Sequence, residues 1–161
     1  MSIQEWQQRI HARNVQKGFY DYEQDIRLVS DLLDRCYRAA MIEGLATIGD
    51  EPVKAEISLS EYWALARIVK DYERSMIERK MLLIIGEIIE AHEELRNNHA
   101  PSEVYFKPES PKKPEGFPIE MADAQIRLLD LMEALKLSTE FYVEMKHEFN
   151  ETREHRHGRQ F

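Results

Sequence analysis

Cysteine is almost absent from this chain of 161 residues, which contains Cys36 alone. A single cysteine excludes a disulfide framework and is typical of proteins in a reducing compartment, so we expect a cytoplasmic protein. Glycine and proline are also sparse, at six each, whereas 43% of the residues are hydrophobic and 32% are charged. This composition favours helices.

Long hydrophobic runs are missing as well. The N-terminal stretch MSIQEWQQRIHARN is polar and has no apolar signal core. The longest apolar run, Met81–Ile85, is followed closely by Glu87 and Glu90, and it is far too short to span a membrane. We therefore predict a soluble protein without a membrane partner.

The chain has no excess of positive charge, since 22 lysines and arginines stand against 30 aspartates and glutamates. The resulting formal net charge of -8 disfavours binding to a nucleic acid polymer, which needs a basic stripe. A small anion remains a possible ligand, because a bound metal ion inverts the local field.

Helical periodicity and chain breakers organise the sequence into an all-α helical bundle. We predict helices over about residues 3–17, 21–43, 60–97, 118–136 and 138–156, the third being one helix or two with a kink near Ser75. Residues 97–118 contain five prolines and are predicted to be a loop, and no segment predicts a strand. One helical layer of this length buries little surface, so we expect association to a dimer or tetramer.

The most informative stretch is GEIIEAHEELR, residues 86–96, in which Glu87 and Glu90 share a helix face. Carboxylates inside such an apolar run are costly unless they are paired or bound to a metal. Glu94 falls on the same face. A second stretch, PIEMADAQIRLLDL at residues 118–131, repeats this spacing with Glu120 and Asp123.

If the two acid helices pack antiparallel, their four carboxylates meet, and a cation must lie among them or some must be protonated. Oxygen ligands favour magnesium, with manganese as the alternative. Taken singly, each pair also fits ordinary helix surface charge, and Glu120 suits the first turn of a helix by the dipole alone. Two such pairs joined by one loop make the metal site the better interpretation.

These two stretches resemble the ExxE and ExxD elements of the MazG-like nucleoside triphosphate pyrophosphatases. HARNVQKGF, residues 11–19, is similar to a stretch of that family that runs from an asparagine to KGF. KHEFNETREHRHG, residues 146–158, resembles the KxxxNxxR ending of the family and of its dimeric dUTPase-type relatives. The resemblance covers about half of the chain and leaves residues 21–75 unmatched. We therefore expect one MazG-like domain over residues 1–161 with a helical insertion there.

The resemblance implies that Glu87, Glu90, Glu120 and Asp123 are metal ligands. Family members often carry an extra acid beside the first pair, and Glu94 is the only nearby substitute here. This departure leaves the number of bound metal ions open. Glu90 is our candidate for the catalytic base that accepts a proton from water.

The substrate-binding candidates lie at the two ends of the chain. Lys146, Asn150 and Arg153 share a helix face, suit phosphate and sugar groups, and would be joined by His157 if the helix continues. Spacing alone favours a solvated amphipathic tail, and the resemblance reverses that preference. The resemblance also suggests that Asn14 and Lys17 reach the nucleotide, although an exposed helix end explains them equally well.

The function implied is metal-dependent hydrolysis of canonical or altered (deoxy)nucleoside triphosphates to a monophosphate and pyrophosphate, for nucleotide pool control or house-cleaning. One alternative is a non-catalytic helical protein that binds a nucleotide or a partner. Another is a hydrolase of a phosphoribosyl-type metabolite. The presence of all four acids favours an enzyme, and the sequence leaves the preferred base and sugar open.

Overall fold

The computed structural model describes residues 1–41, 47–48, 51–52 and 59–153. Within them the chain is mostly helical, which confirms the predicted all-α class. The helices are α1 (Ile3–Gln16), α2 (Asp21–Met41), α3 (Leu59–Arg96), α4 (Phe117–Ala134) and α5 (Thr139–Glu151). The strands are β1 (Thr47–Ile48), β2 (Glu51–Pro52), β3 (Tyr105–Lys107) and β4 (Ser110–Glu115). None of the described helices combines the length and the apolar character needed to cross a membrane.

The chain divides into two compact units, one of residues 1–16 with 80–161 and the other of residues 17–79. The bounds of the second unit lie within a few residues of the segment that the sequence analysis set apart. Its core joins α2 to the beginning of α3 through Leu33, Tyr62 and Val69, which are all buried. Helical spacing places Tyr62 and Val69 on one side of α3, where they meet Leu33.

The first unit is built from α1, α4, α5 and the part of α3 that begins at Lys80. Helix α1 packs along α4 and also contacts α5. Gln7 joins these helices, because its fully buried amide donates to Glu133 Oε2 at 3.0 Å and to the carbonyl of Leu137 at 2.8 Å. Its amide oxygen accepts from the backbone N–H of Thr139 at 3.3 Å. A buried amide with partners for both its oxygen and its nitrogen is stable in a core, and it fixes one packing arrangement.

The sequence signals for helix ends agree with the structure where it is described. Gly18 has a φ of 77° just after α1, in the left-handed region that suits glycine at a helix C-terminus. Ser138 caps α5 by accepting from the N–H of Phe141. Helix α3 runs as one helix over 38 residues. The predicted end of the last helix at residue 156 lies outside the described residues.

The prediction of a loop without strands between α3 and α4 is wrong. Strands β3 and β4 form an antiparallel hairpin in which Tyr105 faces Glu115, with a register shift between Phe106 and Lys107. Proline cannot donate to a sheet ladder and is therefore confined mainly to edge strands. In a two-stranded hairpin both strands are edges, so the proline density that forbids a helix here still permits strands.

Candidate metal centre

The first two acids of the site lie on α3, one helical turn apart. Glu87 is only 8% exposed, whereas Glu90 is exposed. Both residues lie inside the uninterrupted helix α3, whose periodicity carries the two carboxylates on one face.

The third acid lies in the first turn of α4. Gly116 precedes this helix, and its carbonyl accepts from the N–H groups of Ile119 and Glu120 at 2.9 and 3.2 Å. Pro118 suits the beginning of a helix, because its missing N–H would have no helical partner. This start places Glu120 inward, and the residue is only 5% exposed.

Glu87, Glu90 and Glu120 converge, since each offers a carboxylate oxygen within 4.8 Å of the others. Burial and, after it, the charges of Glu90, Asp123 and Glu87 together raise the pKa of Glu120 to about 6, while Lys113 opposes them. Packing like charges against a desolvated carboxyl is unfavourable without a cation. Two acid helices separated by a hairpin thus bring together three of the four acids predicted from the sequence.

Asp123, the fourth predicted acid, lies one turn beyond Glu120 and is half-buried. It is near enough for its charge to raise the pKa of Glu120. Its oxygens are outside the group of three that lie within 4.8 Å of one another. The structure therefore places Asp123 beside the cluster, and its role as a ligand stays a prediction.

Arg127 is a site residue that the sequence did not reveal. Its Nε donates to Glu87 Oε1 at 2.6 Å, across 40 residues of chain. Glu87 is buried, and this charge-assisted bond pairs its carboxylate with a guanidinium and fixes its direction. Helical spacing relates Arg127 only to its own helix, so no signal in the sequence pointed to Glu87.

Glu94, the proposed extra ligand, is engaged by the hairpin. Tyr105 Oη donates toward both carboxylate oxygens of Glu94, each at 3.2 Å, and the His99 ring stacks on Tyr105 with centroids 4.7 Å apart. Glu94 is not a member of the group of three converging acids. In this structure it anchors β3 to the end of α3.

The donor set fits a hard divalent cation. Three carboxylates supply only oxygen ligands, and their mutual repulsion is relieved by a positive charge among them. Burial and the charges of its acidic neighbours raise the pKa of Glu120, and a cation bound among the acids would favour its ionised form. The cluster can therefore hold a metal ion.

The C-terminal candidates lie on α5, whose residues from Glu140 onward are exposed. Lys146 Nζ lies 4.7 Å from the centroid of the Phe149 ring, and the Arg153 guanidinium lies 5.9 Å from it. Lys146 and Arg153 therefore occupy one side of the helix, as their spacing predicts, and they contact an aromatic ring. Asn150 is exposed in the same turn.

The remaining candidates are not brought to the acids by anything described. Asn14 is half-buried in α1, within the first unit. Lys17 is exposed and belongs to the second unit. His157 lies outside the described residues. Their substrate contacts stay predictions.

Comparison of this chain with protein-family models, with curated proteins and with solved structures found no match. The side chains of the acid cluster are therefore the basis for inferring a function. Two buried carboxylates and an exposed one converge, and Arg127 is bonded to one of them, so the cluster is suited to holding a divalent cation.

Proposed function

We propose that this chain is a magnesium-dependent nucleoside triphosphate pyrophosphohydrolase of the MazG-like kind, with manganese as a substitute metal. It hydrolyses canonical or altered (deoxy)nucleoside triphosphates to a monophosphate and pyrophosphate. The observation that carries the proposal is the convergence of Glu87, Glu90 and Glu120 from two helices. The three acids follow one another along the chain in the same order as the ExxE and ExxD elements of that family.

Glu87, Glu90 and Glu120 hold the cation, and Asp123 completes the set. A divalent cation held there would neutralise phosphate oxygens and make a nearby water more acidic. Arg127 bonds the carboxylate of Glu87 and keeps it pointed in one direction. The two helices thus present a preorganised negative site to the metal and keep it at a fixed place relative to the substrate.

Glu90 is the residue that accepts the proton of the attacking water. Glu87 is buried and bonded to Arg127, and Glu120 is buried in the first turn of α4. Glu90 is the exposed member of the three, so its carboxylate has access to water. A positioned carboxylate of this kind contributes roughly 10²- to 10⁴-fold to a rate.

Lys146, Asn150 and Arg153 bind the phosphate and sugar groups of the substrate. The two cations lie on one side of α5, in the same unit as the acids. Lysine binds phosphate as a point charge and arginine as a planar fork, so together they neutralise a polyanion. We place this reaction in the cytoplasm and in a homo-oligomer.

The decisive experiment is a panel of nucleoside and deoxynucleoside triphosphates, incubated with magnesium and scored for released pyrophosphate. We expect pyrophosphate from at least one substrate, and none in excess chelator. Glu90→Gln should lower turnover by at least about a hundredfold, because it removes a charge at the metal and the proton acceptor. Glu93→Gln is the matched control, since Glu93 is exposed on the same helix and pairs with Arg96 at 2.8 Å.

Activity that persists in excess chelator contradicts the metal mechanism. Binding of metal and nucleotide without any pyrophosphate supports the non-catalytic alternative. Pyrophosphate release from a phosphoribosyl compound only, and from no nucleoside triphosphate, supports the metabolite hydrolase.

A further inference from the structure

The hairpin between the acid helices carries two lysines on one buried carboxylate. Lys113 Nζ lies 3.1 Å from Glu115 Oε1, and Lys107 Nζ lies 3.6 Å from the same oxygen. Glu115 is buried, and the hydrogen bond from Lys113 together with both lysine charges lowers its pKa. It immediately precedes Gly116, where the turn into α4 begins. The hairpin lysines are thereby fixed next to the helix that carries Glu120.

The face of the hairpin that carries Lys113 is the face turned toward the acid helix. Lys113 lies with Glu115 on this face, because its ammonium group contacts the carboxylate of Glu115. Tyr105 faces Glu115 across the hairpin, and its hydroxyl reaches Glu94 on α3, one turn beyond Glu90. The pKa of Lys113 is raised mainly by Glu115, and the charges of Glu120 and Glu90 also contribute. Lys113 is therefore close enough to the acids to feel their charge.

We propose that Lys113 is a further substrate-binding residue, which contacts the phosphate chain of a nucleoside triphosphate at the metal centre. This inference rests on the proposed function and adds a cation that the MazG resemblance does not assign. The side chain of Lys113 is 63% exposed, and its ion pair with one oxygen uses one of three ammonium donors. The other donors can reach a ligand while Glu115 holds the side chain in place.

The charge balance of the site supplies the reason for this contact. When a cation occupies the acids, their attraction for Lys113 weakens, and a triphosphate brings new negative charge to the same place. Lys113 and the metal ion repel each other when no phosphate is present. Removal of Lys113 should therefore leave the affinity for metal alone unchanged or raise it, and should weaken only the binding of phosphate. Removal of a residue that merely supports the fold would weaken the binding of both metal and phosphate.

The test uses calorimetric titration of the full chain with two probes, Mn²⁺ alone and inorganic tripolyphosphate in excess Mg²⁺. Tripolyphosphate has no base or sugar, so the unknown nucleoside preference does not enter. We expect Lys113→Ala to weaken tripolyphosphate binding about ten- to a hundredfold, the usual loss for a charge-assisted hydrogen bond. Mn²⁺ should bind at least as tightly as to the wild type. Lys113→Arg should retain most of the phosphate affinity.

Two control variants separate this role from general charge and from the anchoring of Glu115. Lys112→Ala removes the same charge from the neighbouring, exposed lysine and should change phosphate affinity less than about twofold. Lys107→Ala removes the other partner of Glu115 and should also have the smaller effect. The inference is overturned if Lys113→Ala binds tripolyphosphate like the wild type, if Lys112→Ala loses as much, or if Lys113→Ala loses Mn²⁺ affinity in parallel. A wild type that binds no Mn²⁺ overturns the proposed function itself, and this inference with it.

Discussion

Of two glycines near the acids, Gly116 has no room for a side chain and Gly86 has open space around it. Substitution by alanine should therefore affect stability in opposite directions. Gly116 has a φ of 119°, and a Cβ built on it would lie 2.3 Å from the carbonyl oxygen of Glu103. Gly86 lies inside α3, and a Cβ there would meet nothing within 4 Å. Gly116→Ala should therefore destabilise the fold by at least about 2 kcal/mol, because strained backbone and a clash with backbone combine.

Gly86→Ala is the matched variant. It should raise the free energy of unfolding by about 0.5–1 kcal/mol, since alanine restricts the unfolded chain and suits a helix interior. Urea unfolding of both variants beside the wild type measures the two effects. Equal stability of Gly116→Ala and the wild type would contradict the strained turn into α4.

Glu120 should make the metal-free protein less stable as the pH rises. Its pKa is about 6 in the folded protein and 4.5 in the absence of the fold, so the folded state favours the protonated form. That stabilisation is complete below pH 4.5 and is lost as the pH rises through 6, a change of about 2 kcal/mol. The groups responsible are the charges of Glu90, Asp123 and Glu87 together with burial, opposed by Lys113.

Glu120→Gln removes this titration. In excess chelator the variant should match the wild type near pH 4.5 and exceed it in stability near pH 7, as measured by urea unfolding. Glu93→Gln, an exposed change on α3, should follow the wild type at both pH values. Parallel profiles of the wild type and Glu120→Gln would show that Glu120 is not desolvated.

At this scale the sequence revealed the acids because they interrupt apolar helices. Glu87, Glu90 and Glu120 were predicted from that contrast, and they converge. Arg127 and Lys113 were not assigned to the site, because their contacts with Glu87 and Glu115 depend on how α4 and the hairpin are placed. Charged residues on exposed surfaces look the same in sequence as those beside a metal.

At the scale of elements, the helices were predictable and the hairpin was not. Gly18, Pro118 and Ser138 are local signals, and each marks a helix end within a residue or two. Strands β3 and β4 read YFK and SPKKPE, with little of the apolar alternation that predicts a strand. Side-chain contacts stabilise the hairpin, namely those of Tyr105 with Glu94 and of two lysines with Glu115.

The anchoring of the hairpin on α3 can be tested at Tyr105. Tyr105→Phe keeps the ring that stacks on His99 and removes the hydroxyl that contacts Glu94. We expect a loss of about 1 kcal/mol in stability, the usual effect of one hydrogen bond, and faster hydrogen exchange over residues 105–115. Tyr142→Phe, at an exposed position on α5, is the control and should change neither quantity.

Unchanged exchange in Tyr105→Phe would mean that the bond to Glu94 does not hold the hairpin. The result matters for the site as well, because the same face of the hairpin carries Lys113. A looser hairpin should weaken tripolyphosphate binding less than Lys113→Ala does, since the ammonium group is still present.

At the scale of the whole molecule, large apolar side chains remain uncovered in the first unit. Helix α5 exposes a stripe at spacing four, formed by Phe141, Met145 and Phe149, each more than half exposed. The part of α3 after Lys80 exposes another set, of which Leu82 is 66% exposed. Monomers rarely leave contiguous apolar patches of this kind in water. A second copy of the chain presents the same surfaces and can cover them with a closed symmetric interface.

We therefore predict that the protein sediments with at least twice the mass of the 19.1-kDa chain. Met145→Glu and Leu82→Glu should each weaken self-association at least about tenfold, because burying an unpaired charge in an apolar interface is strongly unfavourable. Gln8→Glu adds the same charge at an exposed position of α1 and should leave the mass unchanged. Sedimentation equilibrium at several protein concentrations measures all four proteins. A homo-oligomer built on these two apolar surfaces is contradicted if the wild type remains at the mass of one chain. It is also contradicted if Met145→Glu and Leu82→Glu both associate like the wild type.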